Sequence, residues 1–160
     1  MMKFALVIAM TVLLVAGADP PDAAADPSYV AELRGNVADQ VIAGFPSSVA
    51  TWSIERGRVS IQRLPSVAAL IIVRTKGLII PALGQNPSPD LLARIVCHDA
   101  GGLPAEAART RAVPFPEDGD ARLADTVSLP QDCFAPIVLL TGSIDPQGES
   151  PGKFFAVSGF

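Results

Sequence analysis

From residue 49 onward, apolar and polar positions alternate along the chain. Trp52 and Ile54 interleave with Ser53 and Glu55, and Val59 and Ile61 with Ser60 and Gln62. Period-two alternation sends the two sets of side chains to opposite faces of a strand, and Gly57 between the stretches predicts a hairpin. Residues 67–73 are apolar on both parities, as in a central strand covered on both faces or in a buried helix. A short strand over residues 77–80 ends at Pro81, and residues 84–90, Gly-Gln-Asn-Pro-Ser-Pro-Asp, form a loop by composition.

The stretch from Leu91 to Leu140 holds the only two cysteines. The parity of Cys97 carries Leu91, Ala93 and Ile95, and that of Cys133 carries Ala135, Ile137 and Leu139. Both cysteines are therefore expected on strands and facing a core. Between them, residues 107–113 read as a strand that Pro114 and Pro116 confine to a sheet edge. Residues 121–129 alternate with Leu123, Val127 and Leu129 on one parity; Asp125 breaks it, which places that carboxylate at an opening of the sheet or against a partner. Residues 154–157 make a last strand. Eight or nine short strands with no long helical period after Ile42 predict an all-β fold, an antiparallel β-sandwich of Ig-like architecture over residues 49–160. Trp52 precedes both cysteines, whereas a true immunoglobulin domain carries its tryptophan between them.

Ahead of that domain the period changes. Val30, Leu33, Val37 and Val41 recur at helical spacing behind Ser28 as an N-cap, predicting a short N-terminal helix and its connector over residues 29–48, with Gly35 as a weak point. Residues 19–28, with Pro20, Pro21 and Pro27, read as a disordered leader. Residues 1–18 join Lys3, an apolar run from Phe4 to Val15 and Ala16-Gly17-Ala18, the three parts of a secretory signal peptide; the run is too short to span a bilayer. Cleavage is expected before Asp19, with Ala23-Ala24-Ala25 as a second possible site. A secreted or periplasmic location follows, and with it a Cys97–Cys133 disulfide in place of two free thiols.

The formal net charge is −4 and becomes −5 once Lys3 leaves with the signal. An acidic chain is a poor candidate for nucleic acid or anionic membranes, which call for basic patches. The charge is also uneven. Arg56, Arg58, Arg63, Arg74 and Lys76 face only Glu55, while seven acids between Asp99 and Asp132 face Arg109, Arg111 and Arg122. Complementary charge on neighbouring surface strands is the expected explanation.

Groups able to do chemistry are few. His98 is the only histidine, too few for a cupredoxin-type copper site, a histidine-rich zinc site or more than one triad, and no serine lies in a G-x-S-x-G sequence. Glu117, Asp118 and Asp120 share a turn that could offer oxygen ligands to calcium, though without the spacing of an EF-hand, and carboxylates in turns are usually solvated. One Trp and one Tyr make a thin stock for a sugar platform, and few aromatics with 15 prolines suit a membrane barrel poorly. No cofactor is implied.

Several stretches occur in an order that resembles a group of exported bacterial proteins for which no activity is known. They are Trp52-x-Ile54, residues 77–80, Gly84-x-Asn86-Pro87, Cys97, Gly119-Asp120-Ala121, residues 128–139 around Cys133, and Phe155-Ala156-Val157-Ser158-Gly159. The resemblance spans about two thirds of the chain, and residues 101–111 fit it least. It implies export, the disulfide and an all-β fold. The expected protein is a non-catalytic interaction module or envelope component with a protein or envelope partner. The rival is a small extracellular hydrolase using the turn at Glu117, Asp118 and Asp120. Residues 84–90 and the strand from Phe154 to Phe160 are the candidate contact surfaces, the latter because a chain-end strand at a sheet edge can pair with a partner.

Overall fold

The computed structural model describes residues 29–133, 135–145 and 151–158. The expected signal peptide and leader, residues 1–28, lie outside the described residues. The elements are β1 (Tyr29–Gly35), β2 (Val41–Ile42), β3 (Phe45–Pro46), β4 (Arg56–Arg63), β5 (Ala68–Lys76), β6 (Asp90–His98), β7 (Pro104–Arg109), β8 (Val113–Pro114), β9 (Ala121–Ser128), β10 (Ile137–Ser143) and β11 (Pro151–Ser158). Among the described residues there is no helix.

Nine strands form one antiparallel sheet in the order β7-β6-β10-β11-β1-β4-β5-β9, with β8 paired to β6, and β2 and β3 make a separate small hairpin. β1 joins the two halves of the sheet. Its residues Tyr29 to Glu32 pair with β4, and Leu33 to Gly35 pair with β11. The sheet bends through this strand until its end strands β7 and β9 touch, giving a near-closed barrel. The fold is all-β, as expected, but the two separate sheets of an Ig-like sandwich are replaced by one continuous sheet, because β1 is bonded to both halves.

β1 also takes the place of the expected N-terminal helix. Val30, Val37 and Val41 are exposed and Leu33 is buried, so the helical spacing of these residues does not define an inward stripe. Ladder bonds to β4 from Tyr29 to Glu32 and to β11 from Leu33 to Gly35 hold β1 extended instead. The expected hairpin about Gly57 is corrected as well. Gly57 lies inside β4, whose hairpin partner is β5, and Ser53 makes only an isolated bridge to Ile79. A Cβ at Gly57 would stand 2.3 Å from Ile54 Cδ1 and 2.7 Å from Leu33 Cβ, so glycine serves close packing there and not a turn.

The barrel interior is filled by Val59 and Ile61 of β4, Ile71 and Val73 of β5, Leu91, Ala93 and Ile95 of β6, Leu123 of β9, and Val138 and Leu140 of β10. Each buried Val, Leu or Ile among them stabilises the fold by about 1.5–3 kcal/mol. Trp52 stacks on Phe155 with ring centroids 4.4 Å apart, and Phe115 stacks on the same Phe155 at 5.8 Å. A second cluster lies outside the sheet, where Ile42 of β2 covers Val96, Leu139, Phe154 and Val157, with Phe45 packed beside them. That cover explains why β6 is apolar on both parities.

Cys97 and Cys133 form a disulfide with their Cα atoms 5.3 Å apart, and both are buried. Closing this loop contributes about 4 kcal/mol in the chain-entropy model. A buried disulfide is the state expected in an oxidising, extracytoplasmic compartment. Cys133, however, precedes β10 and is not on a strand. Ala135 between them takes φ 46°, which switches the parity: Val138 and Leu140 join Cys133 in the main core, while Ile137 and Leu139 face the outer cluster. The Arg63 guanidinium braces this loop by donating to the carbonyls of Leu129 (2.9 Å), Pro130 (2.7 Å) and Cys133 (2.8 Å).

Candidate functional site

The residues singled out from the sequence do not converge. His98 ends β6, exposed, opposite Pro104 of β7. In the acidic turn, Asp120 Oδ1 accepts the Gly77 N–H at 2.8 Å and Asp118 Oδ1 accepts the Asp120 N–H at 3.0 Å. Both carboxylates therefore brace the backbone, and Gly119 O receives the Thr75 hydroxyl (3.0 Å) of β5 and the Leu78 N–H (3.2 Å) just after it. Among the described residues no group of three or more His, Cys, Asp or Glu is placed to hold a metal ion.

Within residues 84–90, Asn86 is buried. Its Nδ2 donates to the carbonyls of Ser88, Phe115 and Pro116, and its Oδ1 accepts the Ser88 N–H. This asparagine ties the loop to the β8–β9 connection. The expected edge strand is a correction: β11 lies between β10 and β1, with Phe154 to Ser158 buried, so no free edge exists there among the described residues; Gly159 and Phe160 lie outside them. A polar cluster not anticipated from the sequence joins Asp90 and Ser143, whose hydroxyl and N–H both donate to the Asp90 carboxylate. No histidine lies in it.

Charge is arranged differently from the expected complementary strands. Glu106 of β7 receives Arg94 (2.6 Å) and Arg109 (2.7 Å), and the Arg94 guanidinium lies 4.4 Å above the Phe45 ring. At the seam between β7 and β9, the Arg111 backbone N–H and Nη2 donate to Asp125 Oδ2 (2.8 Å) and Oδ1 (2.9 Å). Asp125 thus stands both at the opening of the sheet and against a partner. Burial pushes its carboxyl up, but the hydrogen bonds and charge of Arg111 outweigh this and hold it below the usual carboxylate range. The same contacts raise the Arg111 guanidinium.

The basic residues of β4 and β5 are not matched in this way. Arg58 of β4 stands opposite Arg74 of β5, and Arg74 stands opposite Arg122 of β9, so three guanidinium-bearing residues lie side by side across the sheet. Their neighbours Val59, Val73 and Leu123 point inward and are fully buried, which sends the arginines outward. Arg56 and Lys76 form the next outward pair, and Lys76 meets Glu55 at 3.4 Å. Among the described residues Arg34, Arg56, Arg58, Arg74 and Arg122 make no ion pair. Where β1 departs from β4, the fork opens a groove of about 920 Å³ lined by Arg34, Arg56, Arg58, Arg74 and Lys76 against Glu32 and Glu55, with Val30 and Ile54 between them. No aromatic residue lines it. The sequence shows these cations but not the strand register that aligns them.

No family model, curated protein or solved structure matches this chain. Among the described residues no helix is long and apolar enough to cross a membrane. The sheet is apolar within and carries Glu32, Arg58, Arg74 and Arg122 outward, the reverse of the lipid-facing apolar band of an outer-membrane barrel.

Proposed function

We propose that this protein is an exported, non-catalytic binding module that acts through its outer surface in the periplasm or outside the cell. The observation that carries the reading is the outward row Arg58, Arg74 and Arg122, none of which makes an ion pair among the described residues, with Glu32 opposite Arg58 as the one acid in line with it. Like charges placed directly opposite on neighbouring strands destabilise a sheet, so a partner that neutralises them gains binding energy the isolated fold lacks. The buried disulfide and the resemblance to exported bacterial proteins support the location. Asp118 and Asp120 of the acidic turn serve the backbone, which counts against the hydrolase reading, since neither is arranged with the other as an acid–base pair. The test is a panel of chromogenic ester, glycoside and phosphate substrates offered to the purified protein with and without calcium. No turnover is expected. Turnover that Asp120→Ala abolishes, with the circular dichroism spectrum unchanged, would replace this reading with the hydrolase.

A further inference from the structure

We infer that the groove at the fork of β1 and β4, continued by the arginine row onto β9, binds a linear polysaccharide carrying one carboxylate per sugar. The inference rests on the binding-module reading and names its ligand. Five cations and two carboxylates line the groove; Lys76 and Glu55 take each other, Glu32 stands opposite Arg58, and the excess of positive charge continues onto Arg122 past the groove's edge. This concentration occurs on a chain whose formal net charge is −4, so the rest of the surface repels anions and the row focuses them.

Geometry selects among polyanions. Arg58, Arg74 and Arg122 occupy successive strands, so their Cα atoms step across the sheet by about 4.8 Å each. A chain of pyranose rings advances by a comparable step per ring and turns as it goes, so carboxylates two rings apart fall on one side and can meet Arg58 and Arg122, two strand spacings apart, together. Guanidinium is the cation that grips such groups in bidentate fashion. Single-stranded nucleic acid is recognised largely by stacking its bases on aromatic side chains, and the groove has none. A bilayer is flat, whereas the cationic residues line a concave fork. Val30 and Ile54 offer the apolar contact that a sugar ring, with its C–H faces, can use.

The experiment is calorimetric titration of the full chain at low ionic strength with polygalacturonate, its methyl ester, inorganic polyphosphate, oligothymidylate and anionic phospholipid vesicles. Polygalacturonate is expected to bind, with affinity falling as salt is raised, and the uncharged methyl ester is not. Arg74→Glu should lower the affinity tenfold or more, while Lys153→Glu, the same change of charge on an exposed β11 residue away from the row, should change it less than twofold. Arg74→Gln should lose affinity with a melting temperature equal to or above that of the parent, since it relieves the repulsion of Arg58 and Arg122. Polyphosphate, oligothymidylate or vesicles binding as tightly as polygalacturonate overturn the assignment to a carboxylated glycan. No binding of any probe, or equal loss in Lys153→Glu, overturns the row as a site. None of these results bears on catalysis, which the substrate panel decides separately.

Discussion

At Gly35, where β1 leaves β4 for β11, a Cβ would stand 2.0 Å from the carbonyl oxygen of Trp52. The absent side chain lets the segment carrying Trp52 lie against β1, and the Trp52 N–H donates to Asn36 O at 3.2 Å. Gly35→Ala should therefore destabilise the fold by roughly 1–3 kcal/mol, read as a lower urea midpoint with the slope unchanged. In the sequence the same glycine only weakened a helix; its packing role depends on a residue 17 positions away and cannot be seen locally. Asp125 was more legible, because one carboxylate in an apolar parity demands an opening or a partner. Its side chain is 9 % exposed while that of Arg111 is 87 % exposed, so the contact is a half-solvated latch on the seam. The folded-state carboxyl is held low, so its contribution is present above the unfolded value of about 3.9 and is lost as pH falls through the lower folded value. Asp125→Asn should flatten the acid limb of stability against pH. An unchanged acid limb in denaturant titrations at pH 2 to 5 would show that the latch carries none of it.

Among the elements, alternation located β4 and β9 within a few residues, because each buries one parity against the interior, while β5 and β6 were marked by runs apolar on both parities. It misplaced the elements whose surroundings are built from distant chain. The stretch from Trp52 to Ile54 alternates without a strand partner beyond the isolated bridge at Ser53, since Trp52 is held by Phe155. β10 begins after Cys133 because Ala135 adopts a left-handed backbone that no pattern of apolar residues announces. The cysteines themselves were predictable, since each sat in an apolar run. Thiol titration of the denatured, unreduced protein should find no free thiol. Cys133→Ala should cost roughly 2–5 kcal/mol, as in other small disulfide-bonded domains. A smaller loss would mean that Arg63 and its three carbonyl contacts hold the loop unaided.

For the molecule as a whole, the all-β class was legible and the closure was not, because no sequence signal says that β1 pairs with β4 at one end and β11 at the other. The arginine row escaped for the same reason: three residues spread over 64 positions become neighbours only through register, and the net acidity of the chain argued against any basic surface. In hydrogen exchange, β4, β5, β10 and β11, bonded on both sides, should be the slowest elements and β7, at the end of the sheet, the fastest. Equal protection of β7 and β10 would contradict an open seam. The place of β1 also sets the timing of biogenesis. A chain emerges from the ribosome N-terminus first, yet Leu33 to Gly35 of β1 pair with residues 156–158 of β11, which are made long after them. Until β11 emerges, the C-terminal half of β1 and one flank of β10 have no neighbour, and pairings this distant in sequence form slowly. A nascent chain of this protein therefore keeps its joining strand half-paired, and its sheet threadable, until β11 has been made.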